Sequence, residues 1–312
     1  MSHSRARRPL GSDIEGGPMT EIDGATEVFA EHRELLFAIV YNVLGSVADT
    51  EDVLQDTWLA WATRNGSSAE HIEHPRAYLV RIAVNRALDR RALVNRRRET
   101  YVGPWLPEPL VAEPGDAADA TLRSESVSMA MLVVLETLTP LERAVFVLHD
   151  VFGYPHGDIA EMLGRSEAAV RQVAHRAREH VHARRPRRTA DPKTQQLVTE
   201  KFLAAQLTGD LSALLELLAP DVTLWSDGGG KRRAALRPII GKDKVVRLIT
   251  NPGLIEFVEN ISVRYRLANG EPSAVIYSGG AAFAVVVLDL DPDTGQIVGI
   301  YAVANPDKLT SC

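Results

Sequence analysis

The sequence predicts a multidomain protein in which two all-α helical domains are followed by an α+β domain. Apolar residues recur at three- and four-residue steps over residues 25–98 and again over 126–186, which is the period of amphipathic helices. After residue 193 the pattern changes to short runs rich in β-branched residues, which indicate strands. With 312 residues, the chain is long enough for two or more domains.

The first helical domain is predicted at residues 25–98, after a flexible tail at 1–24. Its first helix is expected to end at Gly45, because glycine commonly terminates helices. Ser46 is the expected N-cap of the second helix, which is rich in acids and tryptophan. The third helix follows Pro75 and is strongly basic.

Residues 99–125 are predicted to form a linker, because they contain Pro, Gly and acids without any periodicity. Within it, "GPWLPEPLV" at 103–111 places Trp105 and Leu106 among three prolines. A flexible tether has no need of such apolar side chains. We therefore expect this segment to dock onto another part of the chain.

The second helical domain is predicted at 126–186 and contains a helix-turn-helix. "TPLE" at 139–142 combines an N-cap, Pro at the first helical position and Glu at the third. Gly164 suits the left-handed residue of the turn, and Ser166 caps the next helix. That helix has a predicted buried face at Val170, Val173, Ala174, Ala177 and Val181, and a basic face at Arg171, His175, Arg178 and His182.

The C-terminal domain is predicted at 193–312. Two short helices precede five strand-like runs at 221–227, 261–267, 273–279, 281–291 and 296–304. The last two runs are separated by the turn sequence "DPDTG". Helices followed by strands that look antiparallel predict an α+β fold with a curved sheet.

Charge is distributed in two basic stripes within an acidic protein of net charge −6. Residues 76–98 carry eight Arg and one Asp, and residues 165–188 carry eight Arg and two Glu. Helical cations of this kind reach DNA phosphates, and those near a helix N-terminus reach base edges in the major groove. The alternative for each stripe is a solvated basic surface, or neutralisation by the neighbouring acidic helix.

Cysteine usage excludes several classes of protein. The lone Cys312 cannot form an internal disulfide framework or a Cys-based zinc site. No apolar run reaches the roughly 20 residues that span a bilayer, and we find no secretory signal. We expect a cytoplasmic protein with no membrane partner, no metal and no cofactor.

Two stretches together resemble regions 2 and 4 of extracytoplasmic-function sigma factors. They are "LGSVADTEDVLQDTWLAW" with "PRAYLVRIAVNRALDRR", and "LTPLERAVFVLHDVFGYPHGDIAEMLGRSEAAVRQVAHRARE". The resemblance implies RNA polymerase core and promoter DNA as partners. It also implies roles for three groups of residues: core polymerase binding by Asp52, Gln55, Asp56 and Trp58; minus-ten DNA contact by Tyr78, Arg81, Asn85, Arg86 and Arg90; and minus-thirty-five DNA contact by Ser166, Arg171, Gln172, His175, Arg176 and Arg178.

The C-terminal domain resembles the cone-shaped SnoaL-like fold. "WLPEP", "DGGGK" and "NPDKL" are similar to motifs of the sigma-factor subgroup with a fused SnoaL-like extension. This resemblance implies control of promoter binding within the chain, without a separate anti-sigma factor. We expect Trp105 and Leu106 to dock near 228–231 and 305–309, with Glu108 close to a cation such as Lys231. The proposed docking set is Trp105, Leu106, Pro107, Glu108, Asp227, Gly228, Gly229, Gly230, Lys231, Asn305, Pro306, Asp307, Lys308 and Leu309.

Two other functions remain open from the sequence. A one-component regulator would sense a small ligand in the C-terminal cavity and would need only one DNA-binding stripe. A DNA-tethered isomerase or cyclase would need a buried base, but no His follows His182. The acid candidates are Asp221 and Asp227, with Tyr265, Tyr277 and Tyr301 as donors; three following glycines lead us to expect Asp227 in an exposed loop.

Overall fold

The first helical unit consists of three helices. The computed structural model describes residues 19–67, 72–112, 127–183, 190–251 and 260–310. Helix α1 spans Met19–Leu44, α2 spans Val47–Ser67 and α3 spans Pro75–Glu99. Their apolar faces meet in one core that includes Leu36, Val53 and Leu79.

The predicted tail at 1–24 is too long, because α1 already begins at Met19. The rest of the predicted tail, residues 113–126 of the predicted linker, and Cys312 lie outside the described residues.

The second helical unit contains the predicted helix-turn-helix, which is confirmed. Its helices are α4 (Met129–Leu135), α5 (Pro140–Phe146), α6 (His156–Leu163) and α7 (Glu167–His182), with a π-helical turn at Val147–Val151. Thr139 and Glu142 form the capping box at the start of α5. Gly164 ends α6 with a φ of 62°, and the Ser166 side chain accepts a hydrogen bond from the amide of Ala169.

The two helical units share one hydrophobic core. Ile39 and Ala83 of the first unit belong to the same buried cluster as Val145, Ile159 and Val170 of the second. Burial of this apolar surface holds the units together. The two basic helices are therefore parts of one packed body in this arrangement.

The C-terminal unit is α+β, as predicted. Helices α8 (Pro192–Thr208) and α9 (Leu211–Leu217) are followed by β1 (Leu218–Asp227), β2 (Ile239–Ile240) and α10 (Lys242–Ile249). Strands β3 (Ser262–Ala268), β4 (Glu271–Ser278), β5 (Ala281–Leu290) and β6 (Ile297–Val303) complete one sheet in the order β2-β1-β6-β5-β4-β3. A 3-10 turn follows at Pro306–Lys308.

One strand pair differs from the antiparallel expectation. Strand β1 pairs with β6 in parallel, whereas the other neighbours are antiparallel. Parallel neighbours need a long crossover, and here the chain from β2 to β5 supplies it. The sequence pattern of a single strand does not reveal this, because pairing depends on a partner about 75 residues away.

The two faces of the sheet have different partners. One face packs on helices through Phe202, Leu218 and Ile300. The other packs on Leu106 of the linker and Met129 of α4. The C-terminal unit therefore lies directly on the linker and the second helical unit. Within the described residues, we find no helix long and apolar enough to cross a membrane.

Candidate nucleic-acid interface and docking surface

The predicted polymerase-binding residues lie along one side of α2. Asp52, Gln55 and Asp56 are exposed, and Trp58 is half-buried with its ring 5.5 Å from that of Phe29. Asp52 forms an ion pair with Arg90 of α3. Negative charge is thus displayed on an exposed helix face, and an apolar aromatic edge lies beside it.

The predicted minus-ten residues lie along α3, and one of them contacts the helix-turn-helix. The Asn85 amide donates to the backbone oxygen of Met162 at 2.9 Å. Arg81 lies over the Tyr78 ring at 5.3 Å, and Tyr78 packs against Trp61. Arg86 is exposed. Among the side chains that we expect to hold single-stranded DNA, Asn85 is thus hydrogen-bonded to α6, while Arg81, Asn85 and Arg86 all remain exposed.

Arg90 takes part in a different contact. Its Nε donates to Asp49 at 2.7 Å, and it also pairs with Asp52. These carboxylates raise the pKa of Arg90 against the opposing effect of its partial burial. In this arrangement Arg90 joins the acidic and basic helices and is already engaged by protein carboxylates.

Helix α7 has the predicted two faces. Val170, Val173 and Ala177 are buried, whereas Arg171, Gln172, His175 and Arg176 are exposed. Arg178 is half-buried, and its Nε donates to Asp150 at 2.6 Å. An exposed cationic face beginning at a capped N-terminus has the geometry of a helix that enters the major groove.

The linker is docked through Trp105. The Lys308 ammonium lies 3.5 Å from the centre of the Trp105 ring, and the Arg98 guanidinium lies 4.5 Å from it. The Tyr101 ring meets Trp105 edge-on with 4.6 Å between ring centres. Cations over an indole face contribute about 2 kcal/mol or more when they are desolvated. The tryptophan therefore joins α3 to the C-terminal end of the chain.

Leu106 is fixed by an ion pair beneath it. Its backbone N–H donates to Asp227 at 3.0 Å, and its carbonyl oxygen accepts from Lys308 at 2.5 Å. Lys308 also donates to Asp227 at 2.7 Å. The Leu106 side chain is fully buried against the sheet. Both backbone polar groups of Leu106 are thus hydrogen-bonded, and its apolar side chain is buried at the same place.

The glycines after Asp227 permit close approach. A Cβ on Gly229 would lie 2.4 Å from the Asn305 amide nitrogen, and one on Gly228 would lie 2.2 Å from the Arg232 oxygen. A Cβ on Gly230 would meet the Val102 side chain at 3.2 Å. Asn305 in turn donates to the Tyr101 hydroxyl at 2.7 Å. The "DGGGK" and "NPDKL" segments are therefore adjacent, with the linker across them.

The expectation of an exposed Asp227 is wrong. Its side chain is fully buried, because β1 ends beneath the linker and the glycine turn folds back over it. The carboxylate accepts from Tyr101 at 2.5 Å and Gly229 N at 3.0 Å, in addition to Leu106 and Lys308. A general base needs a lone pair directed at a substrate proton. Four protein donors around Asp227 favour a structural role over catalysis.

The cation that acts on Glu108 is Lys308 and not Lys231, which was the example expected from the sequence. Glu108 is buried, and its carboxylate accepts from the backbone N–H of Val47 at 2.8 Å. Lys231 instead pairs with Asp307 on the surface. Burial raises the pKa of Glu108, although the Val47 amide and Lys308 oppose this effect. Glu108 therefore ties the linker to the first helical unit.

Sequence reasoning missed Asn269, which links three parts of the chain. Its amide donates to the Tyr41 hydroxyl at 2.8 Å, and its backbone N–H donates to the Leu110 oxygen at 3.0 Å. It occupies the β3–β4 turn with a positive φ of 52°, which Asn tolerates better than most residues. The "NG" dipeptide signals this turn, but nothing local to it reveals the contact with Tyr41.

The concave regions of the described surface include one on the helical units and one on the C-terminal unit. A cleft of about 540 Å³ lies between the start of α3 and the turn before α6, and includes His74, Arg76 and Tyr154. A smaller pocket of about 200 Å³ on the C-terminal unit includes Gln196 and Tyr265. The second is below the size of ordinary ligand sites, which is about 300–1,000 Å³.

Docking should strengthen as pH rises from about 8. Burial lowers the pKa of Lys308 to about 8 from 10.5, although Asp227 opposes this effect. Between pH 8 and pH 10.5, the Lys308 side chain is therefore protonated more in the unfolded chain than in the folded chain. Stability contributed by this group is therefore gained as pH rises through the window and lost as pH falls through about 8, at up to about 1.4 kcal/mol per pH unit.

Urea unfolding at about pH 7.5, 8.5 and 9.5 measures this change in stability. The Lys308→Met variant is the comparison. The range stops below the titration of Tyr101, whose pKa is raised by burial and by Asp227. The rise should be present in the native chain and absent from the variant. Equal pH dependence of the two proteins would show that Lys308 does not cause it.

Comparison with known proteins adds an independent result. Family models described as "Sigma-70 region 2" and "Sigma-70, region 4" match residues 28–98 and 128–181. The ECF RNA polymerase sigma factor SigJ of Mycobacterium tuberculosis is 38% identical over 296 residues, covering 90% of this chain and 92% of SigJ. A probable ECF RNA polymerase sigma factor, SigI, from the same species is 27% identical, covering 93% of this chain and 97% of SigI.

The structure of M. tuberculosis SigJ is similar throughout. It aligns with a TM-score of 0.72 and 36% identity, covering 92% of this chain and 98% of that one. The similarity thus extends over both helical units and the C-terminal α+β unit. Both sigma-70 regions are present in order, and a relative above 30% identity covers nearly the whole chain. The chain therefore belongs to the extracytoplasmic-function sigma factors.

Proposed function

We propose that this sigma factor directs the RNA polymerase core to promoters, and that its C-terminal unit controls this activity within the same chain. The docked C-terminal unit keeps the two DNA-binding units packed together. In that state Asn85, a residue of the minus-ten surface on α3, is bonded to α6. Release of the docked linker permits the units to separate and to engage the two promoter elements.

The contact between Asn85 and Met162 carries this proposal. A promoter presents its two elements at separate places, so the region-2 and region-4 units must bind apart from one another. Here the amide of Asn85 is bonded to the backbone of α6, and both units share a core. The packed arrangement supports a restrained state in which the side-chain NH2 group of Asn85 is bonded to protein carbonyl oxygens instead of a base.

Docking of the C-terminal unit supports the restrained state from a second direction. The linker is bound to the Gly45 turn by Glu108, to the sheet by Leu106, and to Tyr41 through Asn269. Burying an apolar anchor such as Leu106 contributes about 1.5–3 kcal/mol. A bias of that size shifts a two-state equilibrium by roughly 10- to 150-fold without making it irreversible.

The residue roles proposed from the sequence agree with this arrangement. We place the polymerase core on the exposed acidic face of α2, and the minus-thirty-five element on the exposed face of α7. The proposed division of the chain is a first helical unit that begins with α1 at Met19 and ends at 98, a linker at 99–125, a second helical unit at 126–186 and a C-terminal unit at 193–312. Control within one chain requires no separate anti-sigma factor, and we place the protein in the cytoplasm with the polymerase.

The test is transcription in vitro with purified core polymerase, in which Trp105→Ala combined with Leu106→Ala is compared with the native chain. We expect about tenfold more RNA at equal protein concentration, because the restraint is weakened. Leu197→Ala, on the exposed side of α8, is the matched control and should leave output unchanged. Point variants are preferable to truncation, since removing the sheet would expose Leu106 and Met129.

Two results would overturn the proposal. If the native chain and the variant both fail to support RNA synthesis from any promoter fragment, the directing role is wrong. If RNA synthesis occurs but the variant equals the native chain, the control by docking is wrong. A pull-down with core polymerase distinguishes a sigma factor from the alternative, a ligand-sensing repressor. The repressor would not be retained by the polymerase.

A further inference from the structure

A largely buried carboxylate joins the two helical units. Glu136, at the end of α4, accepts from Arg143 at 2.5 Å and from Arg91 at 2.6 Å, and also pairs with Arg98. Arg91 and Arg98 come from α3, whereas Arg143 comes from α5. The three guanidinium groups hold the pKa of Glu136 well below its usual range, although burial itself acts to raise that pKa.

The cluster contains more donors than acceptors. Arg143 is fully buried, and its Nη2 has no hydrogen-bond partner among the described residues; the same is true of Arg98 Nε. Arg91 and Arg98 also donate to the Leu44 carbonyl oxygen, at 2.9 and 3.3 Å. Three cations around one carboxylate repel one another, so the contact of α3 with the end of α4 and with α5 depends on Glu136 and on the placement of each arginine.

Arg98 belongs to this cluster and to the docking surface at once. Its guanidinium pairs with Glu136 and lies over the Trp105 ring, and that ring also contacts Lys308. Arg97, the preceding residue, is exposed and pairs only weakly with Asp49 at 3.4 Å. One side chain of α3 thus connects the C-terminal end of the chain with the contact between the helical units.

We infer that Arg98 and Glu136 are positioning residues that transmit docking of the C-terminal unit to the packing of the two DNA-binding units. Trp105, held by Lys308, orients the Arg98 guanidinium onto Glu136 and so strengthens the contact between α3 and the end of α4. Loss of docking frees Arg98, and the remaining arginines no longer hold the units together as firmly. This inference rests on the proposed function, since it assigns a route to the same control.

The test is a double-mutant cycle in the full chain, measured as the ratio of open to closed helical units. Spin labels on Thr63→Cys and Ala168→Cys, in a Cys312→Ser background, report the distance between α2 and α7. Trp105→Ala and Glu136→Gln should each raise the open-to-closed ratio about tenfold. Together they should raise it by about the same factor instead of about a hundredfold, because both interrupt one route.

Arg98→Met is a further variant. It removes one of the three positive charges around Glu136 and so lowers their mutual repulsion, and we therefore expect it to fold. It should open the units while the Asn269 amide stays protected from hydrogen exchange, and in its presence Trp105→Ala and Glu136→Gln should act independently. Arg97→Ala is the matched control and should leave the ratio unchanged. Arg98→Met without effect on the ratio would overturn the route.

The outcomes separate the route from the proposed function. Independent effects of Trp105→Ala and Glu136→Gln in the presence of Arg98 would overturn the route alone. No opening by Trp105→Ala would overturn control by docking as well. Opening by each variant, with strong coupling that Arg98→Met abolishes, is the result expected from the route.

Discussion

Replacing Asp227 with Asn should release the linker from the C-terminal unit, with a loss of about 3–5 kcal/mol in docking free energy. The change keeps the size and one acceptor oxygen but leaves the buried Lys308 ammonium without a carboxylate. A buried charge that has lost its partner keeps its full desolvation cost. Hydrogen exchange at the Asn269 amide, which donates to the Leu110 oxygen, measures the opening without touching the mutated residue.

Two further variants make this result specific. Asp221→Asn makes the same change at an exposed position of the same strand and should alter stability by less than about 0.5 kcal/mol. Adding Lys308→Met to Asp227→Asn should recover much of the loss, because the unpaired charge is then absent. Unchanged protection of Asn269 in Asp227→Asn would mean that the ion pair does not hold the linker.

The second large effect is expected for Gly229→Ala, at about 3 kcal/mol or more. Gly229 has a φ of 60°, and a Cβ there would lie within 2.8 Å of three atoms of the Asn305 side chain. The left-handed conformation alone costs an L-residue about 1–2 kcal/mol. Displacing Asn305 would add the loss of its hydrogen bond to Tyr101 and of the packing around it.

Gly295→Ala separates backbone strain from steric overlap. Gly295 has a φ of 69° in the β5–β6 turn, with no atom within 4 Å of its would-be Cβ. It should therefore show only the conformational cost, about 1–2 kcal/mol, with no loss of protection at Asn269. Urea unfolding and hydrogen exchange of the two variants measure the difference. Equal losses of stability and of Asn269 protection in the two variants would show that the close approach of Asn305 to the glycine turn does not contribute to the free energy of unfolding.

The DNA-binding surface of the helix-turn-helix and the docking surface of the linker differ in how much of each could be predicted from the sequence. The helix-turn-helix followed from the Gly164 turn, the Ser166 cap and the apolar period of α7, all contained within about two dozen residues. The linker was identified as a docking segment because Trp105 and Leu106 are out of place in a tether. Its partners were located only to within short motifs, and the cation near Glu108 is Lys308 instead of the suggested Lys231.

The details that failed depend on distant contacts. Tyr101 and Asp227 are 126 positions apart, and Asn269 and Tyr41 are 228 apart. Whether an acid before three glycines is exposed or buried depends on what lies over it. Sequence patterns indicated a loop, but the linker covers that loop and supplies two donors to the carboxylate.

By itself, the sequence determined the two helical units, the α+β class of the third, the basic stripes and the resemblance to sigma factors. Helical period, caps and turn residues act between neighbours along the chain, so these features are readable locally. The tertiary structure alone decided the parallel β1–β6 pair, the burial of Asp227, the Asn85 contact with α6 and the arginine cluster around Glu136. Desolvation and ion pairing depend on which distant side chains meet, and no local pattern specifies that.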